Sequence, residues 1–345
     1  MPGSKTQRAL QWLHRHARHT KTYARFRRLF YDIRNSDEFS NLYEHEKMLA
    51  DTTRVEAYAA AIARHVRPGD VVVDLGTGTG LLALLASRQT PRAVIAVEHT
   101  SMVDLAREIA ARNAGVGIRF VHAHSSTLEL TPDEGQADLI LHEQMGDLLF
   151  NENMVANLLD LKARLLKPGG RILPARFEVF LEPVRLKEAH RVPFLWEIKA
   201  AGLDLAFLKD SPALEDFKRR DYQYRWLDSD AVEAFLCQPS PILRIDLNTM
   251  RSESDLPRTL TATSTVRAPG RLDGLCFYFR TIFDEDIHFD TSPMGQPGPG
   301  GACTNWGHRF FRLPARHCEA GQQLTCRLNM PDLLQINTWT ATLED

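Results

Sequence analysis

The ten residues from Val71 to Gly80, VVVDLGTGTG, set the tightest limit on what this chain can fold into. Three β-branched residues and an Asp lead into glycines at alternate positions, then into the helical run LLALLASR and the apolar segment AVIAVE, which ends on Glu98. Strand, Gly-rich turn, helix and strand in that order form the β-α-β unit of a parallel sheet buried on both faces. Gly76, Gly78 and Gly80 let the backbone turn sharply and approach a ligand at the carboxyl edge of the sheet, where Asp74 and Glu98 close successive strands. The spacing GxGxG lacks the last interval of GxGxxG and also the Lys-Ser/Thr pair that cradles triphosphates. A small nucleotide-like cofactor belongs at this turn, with Glu98 accepting hydrogen bonds from ribose hydroxyls and repelling a 2′-phosphate. On these residues alone a dehydrogenase is the alternative.

The alternation continues, with a helix expected over residues 102–113, strands over 118–123 and 137–141, and a helix carrying Met154, Leu158, Leu161 and Leu165 on one face. Lys167-Pro168-Gly169-Gly170 should end that helix. The first half therefore reads as doubly wound α/β. After Pro174 the texture changes to short strand-like pieces at 177–181, 241–247, 260–266 and 275–283, separated by Pro, Gly and Asp, which predicts an antiparallel β domain. Two helical stretches, 7–30 and 45–63, precede the first strand; in the second, Met48, Leu49, Val55, Tyr58 and Ile62 can share one apolar stripe. Residues 191–208 read as more helical and carry Phe194, Leu195 and Trp196. The expected organisation is a basic N-terminal region (1–44), an α/β domain (45–174) and a β domain (175–345).

Composition closes off several functions. With 42 Lys and Arg against 44 Asp and Glu the formal charge is −2, so no overall basic field exists to hold nucleic acid or an anionic membrane, and neither is expected as a partner. The first 31 residues are the local exception, with eight Lys or Arg and no acid before Asp32; a transit peptide, a nucleic-acid arm and a basic amphipathic helix all fit them. No apolar run approaches the roughly 20 residues of a membrane-spanning helix. Five cysteines, odd in number and without CxxC spacing, suggest neither a disulfide frame nor a zinc cage, so no metal is expected and a reducing, cytoplasmic setting fits.

The segment LHEQMGDLLFNENM places Glu143 just past a strand, at the same sheet edge as the Gly-rich turn, and Glu152 nine residues later at the start of a helix. Two carboxylates flanking one loop raise each other's pKa unless a cation sits between them. A guanidinium suits that slot, being planar, permanently charged and rich in donors. Two solvated surface acids, or a glycosidase-like acid and base, are the other readings of the pair.

DxGxGxG with an acidic end to the next strand resembles motif I of the class I S-adenosylmethionine methyltransferases. Glu143-Gln144-Met145-Gly146-Asp147 to Glu152-Asn153-Met154 resembles the double-E loop of the protein arginine methyltransferases, E-W-M-G-(Y)…E-S-M. His45-Glu46-Lys47-Met48-Leu49-Ala50-Asp51 with Arg54 and Tyr58 is similar to that family's H-E-E-M-L-x-D-x-x-R-x-x-x-Y helix. Phe289-Asp290-Thr291-Ser292-Pro293 and Thr304-Asn305-Trp306 match its F-S-T-S-P and T-H-W elements, all in order from about Ser36 onward.

The resemblance implies a Rossmann-like domain that binds S-adenosylmethionine (SAM), with N-terminal helices, followed by a β-barrel domain that carries a helical dimerisation arm at about 190–215. It implies methylation of arginine in proteins by a homodimer, with free arginine or a small guanidine as an alternative substrate and a weakly active binding scaffold as a third reading. Glu143 and Glu152 would be catalytic. His45, Arg54, Asp74, Gly76, Gly78, Glu98 and Ser126 would bind the cofactor, and Met48, Met154, Trp306, Asn305 and Asp147 the acceptor. The chain departs from the pattern at Asn305 for His, Gln144 for Trp, Asp147 for Tyr, Ser126 for Glu, and at Phe39, which is all that remains of an aromatic Y-F-x-x-Y stretch. Asn can hydrogen bond but cannot carry a proton, so an Asp51–His ion pair is ruled out.

Overall fold

The computed structural model describes residues 41–113, 117–214, 224–228, 230–295 and 303–344. The helix expected over 7–30, the basic first 31 residues and Phe39 lie outside these. β1 (Val71–Leu75), β2 (Ala93–Glu98), β3 (Ile118–His122), β4 (Ala137–His142) and β5 (Leu166–Leu173) form a parallel sheet in the order β3-β2-β1-β4-β5. β1 is buried along its whole length, which suits its run of three β-branched valines. In register, Leu75 lies beside Val97 on one side and His142 on the other, so Asp74, Glu98 and Glu143 finish at one edge. Strand order reverses between β1 and β4. That reversal opens a crevice outside the carboxyl ends of the strands.

The helical stretch expected over 45–63 is two helices, α1 (Leu42–Ala50) and α2 (Thr52–His65), broken at Asp51. Asp51 leaves helical geometry and accepts the Arg54 N–H on its Oδ1, which caps α2. The supposed single stripe is split by this break: Tyr58 and Ile62 are in the core, whereas Leu49 is 44% exposed. α3 (Leu81–Ser87) and α4 (Met102–Arg112) follow β1 and β2, and α5 (Met154–Leu165) runs directly into β5. Lys167 to Gly170 therefore lie within β5, not in a loop that ends the helix.

Past β5 every pairing is antiparallel. β6 (Arg176–Leu186) and β11 (Gly270–Ile282) pair from Gly274 beside Val184 to Ile282 beside Arg176 and form the centre of a seven-stranded sheet. β13 (His308–Cys318) and β7 (Tyr224–Leu227) extend it on one side and β8 (Val232–Phe235) on the other, while β9 (Leu243–Asp246) pairs with β6 and β12 (His288–Asp290) with β11. β10 (Thr259–Thr265), β14 (Gln323–Asn329) and β15 (Thr340–Glu344) make a second sheet.

An aromatic seam joins the two halves. Tyr58 of α2 meets Phe283 edge-on at 4.9 Å, and Phe289 of β12 stacks on Trp306 at 5.5 Å. At the rim, Asp284 accepts from Arg64 and pairs with His65 at 2.7 Å. No helix among the described residues is long and apolar enough to cross a membrane.

The arm expected at about 190–215 is described only to residue 214. Between β6 and β7 the described residues form four short 3₁₀ turns, Glu188–His190, Leu195–Glu197, Ala206–Asp210 and Pro212–Leu214. Phe194 packs inward, stacked on Trp196 at 4.8 Å with the Arg312 guanidinium 4.0 Å from its ring. Val192, Leu195, Leu203 and Phe207 remain exposed.

Candidate active site

A cleft of roughly 870 Å³, including its open mouth, lies at the strand-order reversal. It is lined by the Gly-rich turn, by α1 and α2, by Glu98 and His99 after β2, and by Glu143, Gln144 and Glu152. A second recess shares Gly76, Glu98, His99 and Gln144 and continues to His124 and Ser125.

The turn explains its own glycines. Gly76 and Gly78 have φ of +69° and +52°, and a Cβ on Gly78 would lie 2.9 Å from His45 Cε1, so only glycine lets α1 close over the turn. Glu98 Oε2 accepts the Gly78 N–H at 3.0 Å and Oε1 the Thr100 N–H at 2.8 Å. The carboxylate is thus fixed at the cleft wall, with a lone pair left on Oε2 for a hydroxyl donor, while His99 Nδ1 lies 3.4 Å from Oε1.

Asp74 acts differently from the sequence expectation. It is fully buried and does not line the cleft; its Oδ2 accepts from Thr77 Oγ1 at 2.5 Å and from the Ala83 N–H at 3.1 Å, which ties the turn to the start of α3. Burial raises its carboxyl to about 7 despite those two donors, and Oδ1 has no hydrogen-bond partner among the described residues.

At the acidic end, Glu143 Oε1 accepts from Arg54 at 3.1 Å. Burial pushes the Glu143 carboxyl above its ordinary range, and Arg54 opposes the shift. The Arg54 guanidinium also lies 4.8 Å from the Trp306 ring, and Trp306 donates its indole N–H to the Met145 carbonyl at 2.9 Å. The cation stacked on Trp306 is therefore the chain's own Arg54, where the sequence had offered that ring to a substrate guanidinium. Glu152 is half-buried and lines the same cleft as Glu143.

Among the acceptor candidates, Met48 lines the cleft, whereas Met154 is fully buried at the start of α5 and supports the loop from the core. Asp147 lies off the lining, its carboxylate taken by Arg309 at 2.5 Å. Ser126 is exposed and hydrogen-bonded to His124 Nδ1; its neighbours His124 and Ser125 line the recess instead. Asn305 is held twice, by its N–H to Asp51 Oδ2 at 2.8 Å and by its Nδ2 to the Lys47 carbonyl at 2.7 Å. Asp51 thus joins the cap of α2 to the Trp306 loop without a His partner. Thr77, Thr79 and His99 also line the cleft and were not singled out from sequence, although the alternation GTGTG and the position after Glu98 pointed to them.

The residues fit a nucleoside cofactor that ends in an amino-acid-like carboxylate. Glycines that leave room for close backbone approach, a fixed acid for a ribose, a guanidinium for a carboxylate and two further acids for positive charge share one cleft.

Parallel sheet, Gly-rich turn and acidic strand ends define a methyltransferase domain, and residues 72–170 match the family model described as Methyltransferase domain. The chain is 30% identical over 283 residues to protein arginine N-methyltransferase 6 of Xenopus tropicalis, covering 80% of this chain and 79% of that protein. It is 28% identical over 267 residues to the protein of the same name in Danio rerio, covering 75% and 74%. Several plant relatives are longer, and the chain spans 57% of one from Arabidopsis thaliana. Its fold matches the Trypanosoma brucei PRMT1 enzyme-prozyme heterotetrameric complex with AdoHcy at a TM-score of 0.70 and 23% identity, covering 84% of this chain and 88% of that one. The chain belongs to the protein arginine N-methyltransferase family.

Proposed function

We propose that this protein transfers methyl groups from SAM to guanidinium nitrogens of arginine residues in proteins, giving monomethyl and then asymmetric dimethyl products. The observation that carries this reading is that Glu143 and Glu152 line the same cleft as Gly76, Gly78 and Glu98. The relatives named for this activity, and the AdoHcy in the trypanosome complex, support it.

SAM, when bound, supplies an electrophilic methyl group on a positively charged sulfur. Glu98 would accept from the ribose hydroxyls and Arg54 would hold the carboxylate, while His45 covers the turn above Gly78. Asp74 serves the cofactor indirectly, by shaping the turn. Glu143 gives one oxygen to Arg54 and presents Oε2, together with Glu152, to the substrate guanidinium. The two acids would offset the repulsion between guanidinium and sulfonium and would aim one nitrogen at the methyl group. The arginine side chain ionises far above neutral pH, which keeps the substrate protonated on arrival, so the proton leaves during or after transfer. Burial pushes the Glu143 carboxyl up, which suits it to accept that proton.

Free arginine is the weaker substrate, because the Asp147 carboxylate that would hold its α-amino group is engaged by Arg309. We place the protein in the cytoplasm, since four of its five free cysteines are buried as small hydrophobes. The two antiparallel sheets are read as one barrel, and the exposed Val192, Leu195, Leu203 and Phe207 as the contact of a homodimer. Light scattering at micromolar concentration is expected to give twice the chain mass; a monomer would remove the dimer from the proposal. Incubation with labelled SAM, an Arg-Gly-rich protein and, separately, free arginine is expected to label only the protein. Label in free arginine, or none in either, overturns the reading.

A further inference from the structure

Glu143 and Glu152 sit on a loop, and loops seldom hold two charges in fixed register without support. Here the residues adjoining each glutamate are hydrogen-bonded into one chain. His142, fully buried directly before Glu143, donates from Nε2 to the Pro174 carbonyl at 2.7 Å and accepts the Gln144 N–H on Nδ1 at 3.4 Å. Since a carbonyl only accepts, the tautomer is set, and burial lowers the imidazole to about 4, so it stays neutral. Tyr58 donates to the His142 carbonyl at 2.8 Å. On the other side of Glu143, Gln144 Oε1 accepts from Asn157 Nδ2 at 3.2 Å, and Asn157 Oδ1 accepts from Asn153 Nδ2 at 3.1 Å. Asn153 directly follows Glu152 and holds a left-handed φ of +57° at the start of α5, a conformation Asn tolerates better than most residues. Asn153 and Asn157 are both more than nine-tenths buried, so the bond between them is shielded from bulk water.

We propose that the relay through His142, Gln144, Asn157 and Asn153 holds Glu143 and Glu152 at their working separation, and that Asn157 is a positioning residue acting through Glu152. The proposal rests on the arginine-methylating reading above and extends it to Asn157, which lies outside the lining of the main cleft and borders only the second recess. Asn157 is the link whose removal disconnects the two glutamates while leaving both in place.

The test is a double-substitution cycle in the full chain, with the parent protein assayed alongside on an Arg-Gly-rich peptide. Asn157→Leu is expected to lower kcat about ten- to a hundredfold, the scale of a slightly misplaced catalytic group, with adenosylhomocysteine affinity by calorimetry within about twofold of the parent. In a Glu152→Gln background the same change is expected to cost almost nothing further, because the group it positions has already lost its charge. Asn157→Asp keeps the shape but removes the donor to Gln144, and it serves as the second variant if Asn157→Leu does not reach the parent's circular-dichroism spectrum. The proposal is overturned by unchanged kcat, by equal losses in kcat and adenosylhomocysteine affinity, or by full additivity with Glu152→Gln. A parent that labels no arginine peptide would instead defeat the underlying functional reading, so the two failures are distinguishable.

Discussion

Glu152→Gln is expected to lower kcat for arginine-peptide methylation by roughly 10²–10³-fold, the loss seen when one preorganised charge-stabilising group is removed from an active site. The amide keeps the shape of the carboxylate, so the effect isolates charge. Adenosylhomocysteine should still bind, since the Gly-rich turn and Glu98 are untouched and Arg54 is paired with Glu143, not with Glu152. Glu143→Gln should be more complex, because it also weakens the hold on Arg54 and should therefore reduce cofactor affinity. Peptide turnover that survives Glu152→Gln undiminished would show that the second acid has no part in transfer.

The second large effect concerns stability and lies far from the cleft. Glu182, in β6, is 3% exposed; its Oε1 accepts the Ser240 N–H at 2.9 Å, and burial raises its carboxyl to about 7 from an ordinary value of 4.5. Below the unfolded value both states hold the proton and stability is undiminished. As the pH rises, the unfolded chain ionises first. Stability therefore falls from about pH 4.5 until the folded group also ionises near 7, and the full loss is about 3 kcal/mol. Glu182→Gln should thus stabilise the protein at pH 8 by up to that amount, a rise of roughly 5 °C or more in Tm, with little difference at pH 4. Thermal unfolding of both proteins across this range checks it. An equal offset at every pH would mean that ionisation of Glu182 is not the cause.

Much of the architecture was legible because burial on both faces of a parallel sheet forces continuous apolar runs, and β1 and β2 contain little else. Glu143 and Glu152 were legible because two acids nine residues apart around a strand end need a chemical reason. Other roles depended on distances that no pattern encodes. Asp74 and Glu98 look alike as acidic strand ends, but one is buried beneath the turn and the other lines the cleft, a difference set by side-chain direction. Trp306 was read as a platform for substrate because nothing in the sequence says that Arg54 reaches it first. Asp51 looked like one more residue of a long helix, and only its cap to Arg54 reveals two. The stretch over 191–208 read as more helical, and its described residues form short 3₁₀ turns, with the Arg312 guanidinium against the Phe194 ring.

The contact between Asp51 and the amide of Asn305 has an evolutionary side. A peptide N–H is present whichever amino acid is encoded, proline excepted, so one of the two bonds that dock this loop survives mutation at that codon, while the bond from the Asn305 side chain to the Lys47 carbonyl does not. A lineage that exchanged this side chain would keep the backbone anchor to Asp51 and lose the tie to α1.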